Sequence, residues 1–587
     1  MAEHDCEVLI ERDVYVTMRD GVRIAVDIYR PQDSQNKKFP ALLAMSPYSK
    51  AAQDVALYPK ELGMNGELAG MEAGDSGFFV SRGYAHVIAD VRGTCKSEGE
   101  YVNMFSEKEQ QDGYDIVEWI ADQPWCDGNV GMVGISYFAV IQYLVAAQQP
   151  PHLKAIFPFD GWGDLYRDIT YHGGIPSVFA CGLQKEIFAH TSRSVSRQMY
   201  SKEELDRRIK NLLDDEGTNY KRNPNIIGQL EAPDAFPIGF DYLMNRVDGS
   251  FYRERSPNSK MDKIKVPTYL GSTLHFYPVC MHLPGATTWG WDLINAPKKL
   301  LLFSEAKNGG QEDRPWTSRS MLEEVIRWFD HWLKGVENGI MDEPPVKIWV
   351  RGKGEPRYSD EWPLIKLTKW SKYYLHSNSM LTKDDDFSSN DSPEVFEYKV
   401  TLPIVYGSTP ISPKPNFLSY SIGFDRDTEI IGPMSLELYA SLSTDDADFI
   451  IVVKDVGPTG TFTTLTRGWL KASHRKLDSG RSKPWRPYHL HTDVDPVPLG
   501  QVNAYSIEIQ PIANLFKKDH KLQLELWPCD WYDPAQPYDW TLFWGLVHHI
   551  SYGKDTTYTI FHDQEHPSHL LVPEISSEQG GQFELWF

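Results

Sequence analysis

The chain has 587 residues, 41% of them hydrophobic and 24% charged, which is ordinary for a globular protein and too long for a single core, so two to four domains are expected. A net charge of −22 argues against nucleic acid and anionic membrane surfaces as partners. No run of about eighteen apolar residues is present to span a bilayer, and the polar, acidic start Met1-Ala2-Glu3-His4-Asp5-Cys6 lacks a signal-peptide pattern. Six cysteines scattered without C-x-x-C spacing fit a reducing compartment, so a cytoplasmic location is expected. Eighteen Trp, 30 Tyr and 26 Phe suit large β-rich cores or a pocket for an apolar ligand.

From Val14 to Tyr29 two alternating strands meet at Asp20-Gly21, a hairpin signal. Strands follow at Pro40 to Met45 and Tyr84 to Ala89, with the loop Ser46-Pro47-Tyr48-Ser49-Lys50 between them and Asp90-Val91-Arg92-Gly93 after. Glu107 to Asp122 has helical spacing of its apolar residues. Lys154 to Phe159 reads as the next strand, and Asp160 and Asp164 after it read as solvated. Strands alternating with helices predict a parallel α/β sheet. Residues 164 to 245 change to helical segments and turns, with a capping box at Ser201-Lys202-Glu203-Glu204, and predict a cap over that sheet. Strand signals return at Val266 to Gly271 and Lys299 to Phe303, and an amphipathic helix from Ser320 to Lys334 closes the α/β part. From Val346 onward short alternating strands between Pro, Gly, Asp and Ser clusters predict an all-β sandwich. The expected division is an α/β core over 1–163 and 246–345, a helical cap over 164–245 and a β-sandwich over 346–587.

The chemistry centres on Gly134-Ile135-Ser136-Tyr137-Phe138-Ala139. An apolar strand runs into a glycine and a serine, and an apolar helix follows, which is the setting in which a sharp turn exposes a nucleophilic serine above a sheet. The second glycine of G-x-S-x-G is absent, because Phe138 stands there and the small residue comes one position later, at Ala139.

In order along the chain, Arg19-Asp20-Gly21-Val22, Ser46-Pro47-Tyr48, Asp90-Val91-Arg92-Gly93, Gly134-Ile135-Ser136-Tyr137, Phe329 to Gly335, Arg467-Gly468-Trp469-Leu470 and Ala472-Ser473-His474-Arg475 resemble the cocaine-esterase-like and X-prolyl dipeptidyl peptidase (CocE/NonD) family of serine hydrolases. The resemblance implies an α/β-hydrolase domain with an inserted helical cap and a C-terminal jelly-roll. It implies Ser136 as nucleophile, with the Tyr137 amide and the Tyr48 phenol as oxyanion hole. A substrate pocket bordered by Phe138, Tyr166, His172 and Phe276 is expected beside them.

The same resemblance fails at the other two members of a triad. Phe276 stands at the aspartate position with His275 beside it, and Lys307 stands at the histidine position. Loss of the histidine costs a serine hydrolase about 10⁶ in turnover. The residues therefore leave three readings open. Lys307 or His275 replaces the base of an esterase or amidase; the oxyanion site serves non-hydrolytic chemistry such as cyclisation, condensation, isomerisation or a pericyclic step in small-molecule biosynthesis; or the chain is a non-catalytic binding protein. The non-hydrolytic enzyme is favoured here, acting on a small, apolar, carbonyl-bearing molecule. Neither metal nor nucleotide motifs occur, so no cofactor is expected, and self-association is left open.

Overall fold

The computed structural model describes residues 8–35, 37–54, 72–180, 193–274, 281–304, 319–387, 392–400, 414–531 and 549–576. Among these, ten strands form one sheet in the spatial order Val8–Thr17, Arg23–Pro31, Ala85–Asp90, Phe39–Ser46, Cys126–Ile135, Leu153–Phe159, Thr268–Leu274, Lys298–Ser304, Val346–Trp349 and Pro356–Ser359. The inner strands run parallel, and antiparallel strands flank them at both edges. Strands such as Ala85–Asp90 are buried along their whole length, as a parallel sheet covered on both faces requires. The covering helices begin where the sequence offers a cap: Ser106 accepts the Glu109 amide at 3.3 Å to start Glu107–Ala121. One face of the sheet carries the helices Glu107–Ala121 and Tyr137–Ala146, the other the helix Arg319–Lys334.

The strand Val346–Trp349 corrects the expected boundary at 346. It pairs in parallel with Lys298–Ser304 and so belongs to the first sheet. A crossover helix, Arg319–Lys334, connects the two strands, the usual requirement for parallel neighbours. Short alternating strands look alike in either domain, so the pattern alone could not assign this one.

Cap helices Lys202–Asp214, Pro224–Glu231, Pro237–Met244 and Ser250–Arg255 follow the sixth strand of the sheet. The predicted Ser201 cap accepts the Glu204 amide at 3.3 Å. The cap buries Leu212, Ile226, Phe240 and Leu243 against Ile550 of the C-terminal part. That part is an eleven-stranded sheet among the described residues. Its long strand Thr428–Leu442 pairs with Asn503–Phe516, Thr556–Phe561 and His569–Ile575, which folds the sheet back on itself into a barrel-like sandwich around its own apolar core.

Candidate active site

The strand Cys126–Ile135 delivers its chain to Ser136 at φ 58° and ψ −117°. A non-glycine residue held there is strained, and such strain persists only where the surroundings dictate it. Two amides anchor the turn, since Ser136 N donates to Phe159 O at 3.2 Å and Ile135 N to Glu72 O at 2.9 Å. A Cβ on Gly134, whose φ is +139°, would lie 2.3 Å from the Phe138 Cβ, so the turn admits only glycine. The helix Tyr137–Ala146 then starts with Ser136 as its N-cap residue, and all ten of its residues are buried. This presents the serine and the first helical amides at the sheet edge where the parallel strands end.

Two side chains meet the Ser136 hydroxyl. The Tyr48 phenol hydrogen-bonds it, and Tyr48 is held edge-on against Tyr137 at 5.8 Å and Phe138 at 6.0 Å. Burial holds the phenol proton far above its ordinary pKa, with nearby Glu72 adding to the effect, so Tyr48 remains a donor. On the other side, Ser136 Oγ lies 3.2 Å from His282 Nε2. Burial lowers the His282 pKa to about 4, which leaves a neutral imidazole able to accept the serine proton. With the ring proton on Nδ1, the serine donates to Nε2. Among the described residues no carboxylate hydrogen-bonds the ring.

His282 owes its place to close packing between two loops. A Cβ on Gly285 would sit 1.6 Å from Gly161 O, so the backbone carrying His282 lies directly on the loop that follows Leu153–Phe159. The Asp168 carboxylate ties the same loops together, accepting Gly163 N at 2.9 Å, Asp164 N at 2.8 Å and Trp289 Nε1 at 3.0 Å. Asp160 bonds Ser272 Oγ at 2.8 Å, Thr273 N at 2.8 Å and Thr273 Oγ1 at 3.0 Å, locking adjacent strand ends. Both Asp160 and Asp164 are buried, contrary to the solvated positions expected, because Asp160 satisfies an amide and two hydroxyls and Asp164 the Tyr166 and Arg167 amides, the Asn258 side-chain amide and the Arg167 guanidinium. Glu72 brings a further buried carboxyl, whose pKa rises to about 8 through desolvation and the proximity of Asp160.

Comparison with known proteins agrees with this architecture. The model for X-Pro dipeptidyl-peptidase (S15 family) matches residues 20–276, and that for the X-Pro dipeptidyl-peptidase C-terminal non-catalytic domain matches residues 338–570. Residues 20–276 thus match the S15 family of serine hydrolases, and residues 338–570 match the domain that accompanies it. Similar to this chain is the cocaine esterase of a Rhodococcus species, 26% identical over 625 residues that cover 96% of this chain and 98% of that one. An Xaa-Pro dipeptidyl-peptidase of Lactobacillus helveticus is 27% identical over 165 residues, 24% of this chain and 20% of that one. Among solved structures, a CocE/NonD family hydrolase of Staphylococcus aureus superposes with a TM-score of 0.76 at 25% identity, covering 97% of this chain and 94% of that one. An α-amino acid ester hydrolase shares the fold at TM-score 0.73 and 18% identity, covering 98% of each chain.

The site residues predicted from the sequence fall into three groups. Ser136, Tyr48 and the backbone of Tyr137 lie together at the elbow, while the Tyr137 phenol points away and donates to Glu109 at 2.6 Å. Phe138 and Tyr166 take framework positions instead of the pocket lining expected, whereas His172 is buried and borders a cavity with Trp289, Trp469 and His489. Phe138 packs in a core with Tyr29, Ala44 and Ile88, because the elbow helix is apolar on every side. Tyr166 is fully buried, donates to Arg246 O at 3.1 Å and stacks on Tyr171 at 5.0 Å. His172 bonds His549 Nε2 at 2.8 Å and Asp168 O at 2.7 Å. His275, Phe276 and Lys307 lie outside the described residues. Sequence reasoning missed His282, which sits eight positions after the strand Thr268–Leu274 rather than after the next one. The signal that could have found it is its place in a loop leaving the same edge of the sheet as Ser136, just before Pro284-Gly285.

Proposed function

We propose that this chain hydrolyses the ester of a small, largely apolar carboxylic acid or alcohol. Ser136 attacks the carbonyl carbon and His282 Nε2 takes its proton. The Tyr48 phenol and the Tyr137 amide hold the oxygen that becomes negative. His282 then returns the proton to the departing alcohol oxygen as the C–O bond breaks, and water repeats the sequence on the acyl-serine to release the acid. The observation that carries the reading is the 3.2 Å contact between Ser136 and His282. That contact offers a base other than Lys307 or His275, and it supports hydrolysis over the non-hydrolytic chemistry favoured from the sequence. Relatives named as an esterase and a dipeptidyl-peptidase point the same way.

An ester suits the site better than an amide. An imidazole with a pKa near 4 and no carboxylate partner among the described residues is a weak base, and an alkoxide leaves more readily than an amide nitrogen. The test is steady-state hydrolysis of p-nitrophenyl butyrate and of an alanyl-proline p-nitroanilide. The account expects ester turnover abolished in Ser136→Ala and reduced at least about 10³-fold in His282→Ala. Turnover of the anilide exceeding that of the ester, or a fully active His282→Ala, would sink it.

A further inference from the structure

The His282 imidazole needs two constraints to serve as a base: a defined ring plane, and stabilisation of the charge it gains. One hydrogen bond, Nε2 to Ser136, leaves the ring free to swing about that axis, and among the described residues no carboxylate holds Nδ1. What does lie against the ring is an indole. Trp162 stacks on His282 with centroids 5.7 Å apart and planes 29° from parallel. It is 2% exposed.

Trp162 is itself fixed by further rings. Phe105 meets it edge-on at 5.6 Å and stacks on Tyr137 at 4.1 Å. The Tyr137 phenol is anchored on Glu109, whose other oxygen accepts the Phe105 amide at 2.9 Å. One aromatic column thus runs from the residue after the nucleophile to the base, and holds both in a single frame.

We propose that Trp162 is a positioning residue that does for His282 what a carboxylate does in a triad: it fixes the plane of the ring and lends its π face to the imidazolium formed during attack. A cation over an indole face is attracted by the ring quadrupole, and tryptophan is the best aromatic partner for it. The attraction exists only once the proton has moved, so it favours the transition state over the ground state. This inference rests on the reading of His282 as the base.

The experiment measures ester hydrolysis by the full chain carrying Trp162→Leu or Trp162→Phe, each also combined with His282→Ala, with thermal midpoints recorded for all. The expected result is that Trp162→Leu lowers kcat roughly 10- to 100-fold with KM within about two-fold. Trp162→Phe, which keeps a π face of similar stiffness, restores most of that loss. In the His282→Ala background Trp162→Leu adds nothing further, as two residues acting through one step require. Wild-type kcat in Trp162→Leu, equal losses in the Leu and Phe variants, or an undiminished loss in the His282→Ala background would each overturn the proposal. An active His282→Ala would instead overturn the base assignment beneath it, and the proposal with it.

Discussion

Glu109 lies beneath the elbow with 1% of its surface exposed. Its carboxyl accepts the Tyr137 phenol at 2.6 Å and the Phe105 amide at 2.9 Å. Desolvation is the largest influence on it and raises its pKa from 4.5 to about 8. Between those values the unfolded chain has released the proton and the native chain still binds it. Stability therefore falls as pH rises, by up to about 1.4 kcal/mol per unit. Across pH 5.5 to 7.5 that is roughly 3 kcal/mol from this one group. Glu109→Gln keeps the shape, an acceptor for Phe105 and a donor toward Tyr137, and it has no proton to lose. The two proteins should unfold at similar temperatures at pH 5.5, and the Gln variant should gain a lead of several degrees by pH 7.5. Differential scanning calorimetry at matched ionic strength reads this directly. Parallel midpoints across the range would mean that Glu109 is ionised in the native protein, and the reasoning about its burial would be wrong.

Other consequences concern the base. Because His282 is active only when neutral and burial lowers its pKa to about 4, kcat/KM for a neutral ester should fall on the acid side near pH 4; a limb near the ordinary histidine value of about 6.5 would contradict the burial. Gly285→Ala would place a methyl group 1.6 Å from Gly161 O, so the His282 loop must move. Ester turnover should drop at least about 100-fold, given the sensitivity of catalysis to displacements near 1 Å. Wild-type turnover in that variant would show that the two loops do not set the position of His282.

Much of the fold could be read from local chemistry. Asp20-Gly21 marked a hairpin that pairs from Val14↔Val26 to Thr17↔Arg23, and the strand, glycine, serine and apolar helix around Ser136 marked the elbow. These features depend on neighbours in sequence, which periodicity and turn chemistry record. The base depends on something else. His282 and Ser136 are 146 positions apart and meet because the strands preceding them are separated by a single strand in the sheet. No spacing rule expresses that. Expecting the histidine one strand later, as the family order implies, directed attention to Lys307. Phe138 fails as a pocket residue because a helix buried on all faces turns even its second residue into the core.

The most direct test of the central claim is the rate at which a fluorophosphonate labels the folded protein, followed by intact mass for wild type, Ser136→Ala and His282→Ala. The account predicts one adduct on wild type, none on Ser136→Ala, and labelling slowed at least about 10³-fold in His282→Ala. An unlabelled wild type, or His282→Ala labelled at the wild-type rate, would contradict the assignment of Ser136 and His282 as nucleophile and base.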